Sequence, residues 1–184
     1  PLLRERIVIP QRILSQSSGT CVKGYAEATN TLMPFMKERK RWNAAEIQLD
    51  KSRSWAGIKV HPTGKDRYTA FCLDFGKEVV GSVSIQAKRA KGGEIIDYLA
   101  CESVEKYRPV FRSPLQGCRI AFGNRLFLRK GKTDYEQFDF WGFRYLVLTV
   151  RNTTTNIDIK IRLRWVGYPL EIKASFESSN GILN

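Results

Sequence analysis

Ile157-Asp158-Ile159-Lys160-Ile161-Arg162-Leu163-Arg164-Trp165 alternates apolar and charged side chains without a slip. Successive side chains of an extended strand point to opposite faces. A period of two over this length therefore predicts a β-strand with Ile157, Ile159, Ile161, Leu163 and Trp165 in a core and the charged residues in water.

The same reading extends outward through the chain. Val83, Ile85 and Ala87 alternate with Ser82, Ser84 and Gln86, which predicts a second half-buried strand. Tyr68–Phe75, Glu94–Cys101, Leu126–Arg129 and Tyr145–Val150 are apolar, β-branched or aromatic runs of strand length. Turn chemistry separates them at Phe75-Gly76-Lys77, Lys91-Gly92-Gly93, Lys130-Gly131-Lys132 and Arg151-Asn152-Thr153. Short strands with turns between them, and no long amphipathic helix, give an all-β expectation: an antiparallel β-sandwich or jelly roll with a less regular N-terminal segment. In that segment 2–14 reads as a strand broken at Pro10, and 31–41 as a short helix or a loop. The expected division is residues 1–66 packed on or part of the sandwich, 67–173 the sandwich, and 174–184 a junction.

A chain of 184 residues, 42% hydrophobic and 11% aromatic, is long enough and apolar enough to fold around one core. Its first residue is proline, which reads as a chain processed or excised from something longer. No apolar run has the length of a membrane-spanning helix. The formal charge of +13 favours anionic partners. The lysines and arginines are scattered, with small clusters at 37–41, 88–91 and 125–132, which suits solvated faces or contacts to a partner domain. Cys21, Cys72, Cys101 and Cys118 have no metal-ligand spacing, and Cys72 and Cys101, inside apolar runs, read as buried thiols.

Catalytic constellations are nearly missing. The single histidine, His61, precedes a proline in a polar stretch and reads as an exposed loop residue. Gly131-Lys132-Thr133 resembles the tail of a phosphate-binding loop, but Leu126 stands where its first glycine is needed, so it reads as a hairpin turn. Glu94, Asp97, Glu102 and Glu105 show only local spacing, with no sign of a pair facing across a cleft.

The C-terminal residues add a resemblance. Gly167-Tyr168-Pro169, then Ala174-Ser175-Phe176-Glu177-Ser178-Ser179 and Ile182-Leu183-Asn184, are similar to the junction of bacterial α-L-rhamnosidases of glycoside hydrolase family 78, where a strand leads into the first catalytic helix. Asn180-Gly181 departs from that pattern at a helix-capping position. Upstream, Phe140-Trp141-Gly142-Phe143-Arg144-Tyr145 resembles a strand of the family, with tryptophan replacing the usual histidine or arginine at 141. Leu73-Asp74-Phe75-Gly76-Lys77-Glu78-Val79-Val80-Gly81 and the turn Lys91-Gly92-Gly93-Glu94, with Glu102 beyond it, are similar to further segments of the same concanavalin-like jelly roll. The likeness runs in family order from Leu73 to the end of the chain.

The resemblance implies an accessory β-sandwich of an enzyme that removes terminal α-L-rhamnosyl groups by inversion, using two glutamates on a helical barrel. Those glutamates would lie beyond Asn184, so no catalytic residue, cofactor or metal is expected in this chain. Its expected partners are the catalytic domain of the same polypeptide and rhamnose-containing glycans; no membrane is expected, and nucleic acid is disfavoured. The family's role implies a place in the periplasm or at the cell surface. If the sandwich contacts sugar itself, Trp141 is the first candidate, because alternation with Phe138 and Phe140 would turn it away from the core. Arg144, Tyr107 and Arg112 follow, with Trp42 and Trp55 from the N-terminal part. The alternative is a basic β-sandwich module that binds polyanions such as nucleic acid or acidic polysaccharide.

Overall fold

The computed structural model describes residues 3–21, 42–110, 122–168 and 178–179. The expected helix or loop at 31–41, the basic cluster at 37–41, Arg112, Cys118 and most of the 174–184 junction lie outside the described residues. Among those described there is no helix. The strands are β1 (Arg4–Val8), β2 (Arg12–Thr20), β3 (Asn43–Ala44), β4 (Asp50–Lys51), β5 (Ala56–Val60), β6 (Arg67–Ala90), β7 (Ile95–Cys101), β8 (Ser103–Glu105), β9 (Arg108–Val110), β10 (Gly123–Phe127), β11 (Gly131–Glu136), β12 (Trp141–Arg151) and β13 (Ile157–Gly167). Among the described residues every pairing is antiparallel.

The stretch that decides the fold behaves as its alternation predicts. In β13, Ile157, Ile159, Ile161 and Leu163 are fully buried, while Lys160 is exposed and Asp158, Arg162 and Arg164 are half-buried. Their apolar faces meet Ile58 and Val60 of β5, Ile96 and Tyr98 of β7, and Leu146, Leu148 and Val150 of β12 in one core. Burying such a side chain contributes about 1.5–3 kcal/mol, so this shared interior dominates the stability of the sandwich. Pro10 interrupts the first strand run as expected, dividing it into β1, which pairs with β13, and β2, which pairs with β6.

The organising element is β6, which continues for 24 residues. Phe75-Gly76-Lys77 is therefore not a turn between two strands, contrary to the sequence expectation. Gly76 has φ +81°, a conformation open to glycine, and the strand bends there without stopping. The half before the bend, 67–74, pairs with β2 on one side and β12 on the other. The half beyond it pairs with β13 on one side and with β12 and then β11 on the other. One strand thus belongs to both layers. The remaining glycine turns stand where expected, with positive φ at Gly92, Gly93, Gly131 and Asn152.

Ser82 and Ser84 differ from their expected wet face: both are buried, at 0% and 3% exposure. They sit opposite Arg164 and Arg162 of β13, whose long aliphatic stems cover small neighbours while the charged heads remain accessible. The outer face of the first layer is buried as well, with Ala70, Cys72, Leu99 and Val147 all inaccessible. The β8–β9 ribbon is tied to that face: the Cys101 thiol donates to the Val110 carbonyl at 3.2 Å. Both predicted thiols are buried, and burial pushes them up, Cys101 to about 11, so neither is a ready thiolate at neutral pH.

Gly81 sits between Trp141 and Trp165 in the ladder. A Cβ there would overlap the Arg164 carbonyl oxygen and lie 3.0 Å from Trp165 Cα, and backbone cannot rotate away as a side chain can. Gly81→Ala is expected to cost about 1–3 kcal/mol by prising β13 from β6, read as a lower urea midpoint. An unchanged midpoint would show that the two strands separate freely at this point.

Candidate functional site

Where β6 bends, the carboxylate of Asp74 is almost completely buried and collects the corner. Its Oδ1 accepts from the Gly76 backbone N–H at 2.8 Å and from Arg144 Nε at 3.1 Å. Its Oδ2 accepts from Arg12 Nε at 3.2 Å and its second nitrogen at 3.1 Å. Burial alone would raise the carboxyl's pKa, but these donors outweigh it and hold Asp74 below its ordinary value. Its contribution is therefore present above the unfolded carboxylate range and lost as pH falls through the depressed value. Arg144→Leu should return Asp74 toward its ordinary value and move the acid-unfolding midpoint to higher pH, as followed by circular dichroism. An unmoved midpoint would show that Arg12 and Gly76 hold the carboxylate unaided. Arg144 also lies over the Tyr145 ring at 5.0 Å.

Trp141, the first sugar candidate, is 5% exposed and packs in the core with Tyr98 (ring centroids 5.6 Å apart) and Phe122 (5.7 Å). Phe138 and Phe140, expected inside, are 94% and 50% exposed. The reversal has a local cause. Leu146, Leu148 and Val150 put even-numbered positions of β12 in the core, but the register breaks between Phe143 and Tyr145, opposite the bend of β6. Four residues of β6 stand there against Arg144 alone, and the parity of β12 changes across the break, so Trp141 and Phe143 face inward. Beside Trp141, the Tyr98 hydroxyl donates to Gln137 Oε1 at 3.0 Å and accepts from Asn124 at 2.9 Å, which satisfies a buried polar group.

Another buried constellation surrounds Asp97, which is inaccessible to solvent. Arg125 Nε approaches its Oδ1 at 2.6 Å, and Arg151 Nε approaches Oδ2 at 2.9 Å. The pairing follows from register, because Arg125 and Thr149 flank Asp97 in the ladder and Arg151 lies two residues along. Burial keeps the Asp97 carboxyl above its ordinary value, against the opposing pull of Arg151 and Arg125. Trp55 stacks under Arg162, 4.4 Å from its ring centre, and His61 is an exposed residue whose Nδ1 lies 3.1 Å from Asn156 Oδ1. Among the described residues no cluster of histidine, cysteine and carboxylate side chains is arranged to hold a metal.

A concave feature with mixed chemistry lies beside the β8–β9 ribbon, which Ser15 braces from β2. A bulge in β2 between Ile13 and Ser15 shifts its register, and Ser15 then pairs with Ala44 of β3. The Ser15 hydroxyl donates to the Tyr107 carbonyl at 2.6 Å. That contact brings the tip of the β8–β9 ribbon beside Trp42, the residue just before β3. The result is an open cleft of about 670 Å³ lined, among the described residues, by Trp42, Glu105, Lys106 and Arg108. Glu105 and Arg108 oppose each other across the ribbon. The turn joining them holds Lys106 at φ +43° and Tyr107 at φ +71°. Consecutive left-handed residues suit the tight hairpin turn, although glycine or asparagine adopts them more readily. Tyr107 itself is half-exposed at the rim of this region. The sequence reading named Trp42 and Tyr107 separately and weighed Glu105 only as a carboxylate with local spacing; Lys106 and Arg108 were missed, since nothing local shows that the hairpin tip lies beside Trp42.

Residues 65–164 match the family model described as the bacterial alpha-L-rhamnosidase concanavalin-like domain. The structure is similar to that of a family GH78 rhamnosidase of Bacillus sp. GL1, with 25% identity and a TM-score of 0.59 over 79% of this chain. It is also similar to a rhamnosidase from Klebsiella oxytoca with rhamnose bound, with 15% identity and a TM-score of 0.52 over 90% of this chain. The chain spans 15% and 30% of those two proteins. No curated protein matches the sequence.

Proposed function

Because this chain belongs to the bacterial α-L-rhamnosidase family, through its concanavalin-like domain, we propose that it is an accessory sandwich supporting the catalytic domain of a rhamnosidase. The whole protein would hydrolyse terminal α-L-rhamnosyl groups, with its catalytic carboxylates in a helical domain of the same polypeptide. The observation that carries this reading is an apolar end of the sandwich. Val80, Phe138, Phe140 and Tyr168 are 46%, 94%, 50% and 66% exposed. They belong to the segments where β13 ends, β12 begins and β6 leaves its bend, which the ladder joins at Gly81. Phe140 lies under Arg164, 5.6 Å from its guanidinium, and Val80 faces Gly142. Exposed aromatics such as Phe138, Phe140 and Tyr168 suit a covered interface better than open water.

The test compares this chain with the full-length polypeptide on an aryl α-L-rhamnoside. The full protein should turn the substrate over and the pure chain should not. Phe138→Ser with Phe140→Ser in the full protein should lower its thermal midpoint and its turnover together. Activity of the pure chain, or indifference of the full protein to the double change, would overturn the reading.

A second reading, contact with rhamnose-containing glycans, is favoured by the cleft beside Tyr107. Trp141 and Arg144 support it less, since one is core and the other holds Asp74. The polyanion alternative has less support: many cations are already spent on carboxylates, including Arg89 with Asp158, Lys132 with Asp134, and Arg164 with Glu5 and Glu136.

A further inference from the structure

We infer that the cleft formed by Trp42, Glu105, Lys106 and Arg108 binds a saccharide that carries a carboxylate. The inference rests on the glycan-contact reading and specifies its ligand. The four side chains supply three different kinds of recognition. The Trp42 indole, half-buried beside β3, offers an apolar face of the size that a pyranose C–H face covers. Glu105 is acceptor-only when ionised, so it suits the paired hydroxyls of a sugar ring. Arg108 and Lys106 are donors only, and the planar guanidinium fits a carboxylate through two parallel hydrogen bonds.

Charge selects among the ligands that an aromatic floor admits. Among the described lining residues, Lys106 and Arg108 against Glu105 leave one unit of positive charge, which disfavours a quaternary ammonium despite the tryptophan. Glu105 in turn repels closely spaced phosphates, which disfavours a nucleic-acid strand. A ring rich in hydroxyls with a single carboxylate uses all four groups and leaves no charge opposed. Among the described residues, Glu105 and Arg108 form no ion pair with each other although they are cross-strand neighbours, so both head groups are open to a ligand. The site is also preorganised. The Ser15 hydroxyl pins the Tyr107 carbonyl, β3 is fixed on β2, and the left-handed Lys106–Tyr107 pair sets where the flanking Glu105 and Arg108 stand. Ser15 is completely buried, so this brace is part of the folded framework.

The test titrates the full chain with a disaccharide bearing one uronate, and with the same disaccharide methyl-esterified, following tryptophan fluorescence and calorimetry. The free acid should bind saturably and at least about tenfold tighter than the ester. Trp42→Ala should weaken both ligands about tenfold, whereas Arg108→Ala should remove only the preference for the free acid. Glu105→Gln should weaken both while leaving that preference. Equal binding of acid and ester, with loss on Trp42→Ala, would overturn the charged-ligand inference and leave glycan contact standing. Binding unaffected by Trp42→Ala would overturn the inference and place glycan contact elsewhere. No saturable binding of either disaccharide, nor of a neutral rhamnose-containing oligosaccharide, would overturn inference and reading alike. Binding of single-stranded oligonucleotide in preference to both sugars would assign the cleft to a different ligand class and sink the proposal.

Discussion

Arg151→Met should destabilise the fold by about 3 kcal/mol at neutral pH, the scale of breaking a buried ion pair from one side. Asp97 is inaccessible to solvent, and Arg151 is only 8% exposed, so water cannot take the place of the lost guanidinium. Arg125 would remain as its partner at 2.6 Å. The pH dependence of the loss identifies its source. Asp97 already titrates above its ordinary value, with burial as the first cause, and Arg151 is the strongest opposing influence. Without Arg151 the value rises further. A folded-state value above the unfolded one means that ionised Asp97 costs stability at neutral pH. The cost is relieved as pH falls through the raised value, where the folded chain takes a proton before the unfolded chain does. Urea unfolding of the variant should therefore approach wild type as the medium is acidified through that range. A deficit of equal size at all pH values would show that Arg151 contributes packing and not charge. Arg151→Lys keeps the charge without the planar fork and should cost less than methionine.

Trp141→Ala should cost about 3–5 kcal/mol, because it opens a large hole in a core that cannot fully collapse. The indole touches Tyr98 and Phe122 and is 5% exposed. Trp141→Phe should retain much of that packing and lose less. Chemical denaturation reads both. A loss below about 1 kcal/mol for the alanine variant would be the behaviour of a surface aromatic and would restore Trp141 to the front rank of sugar contacts.

The contrast between β13 and β12 explains how far the sequence could be read. In β13 the alternation is unbroken, and the strand obeys it residue by residue. The β12 segment has an equally good pattern on each side of Arg144, but the two patterns are out of phase, and nothing local marks the slip. The cause lies on another strand, in the bend of β6 around Gly76, where four residues of β6 stand against one of β12. A glycine flanked by strand formers reads as a turn or as a bulge with equal ease, and only the pairing of both halves of β6 decides between them. The cleft was hidden for a similar reason. Trp42 and the 105–108 hairpin are far apart in the chain, and their juxtaposition depends on Ser15 reaching the Tyr107 carbonyl. Core membership follows from periodicity within a strand. Sites made by register across strands do not.

The continuity of β6 has a consequence for how the molecule comes apart. In many sandwiches the two layers are joined by loops, so one layer can loosen while the other persists. Here the covalent backbone passes from layer to layer inside hydrogen-bonded strand, with Asp74 fastened at the crossing. Opening either layer strips one half of β6 and removes the support on which the other half is paired. The amide hydrogens of Phe71–Leu73 and Val83–Ile85 should thus exchange as one protective unit, reached by solvent through the same rare event of complete unfolding.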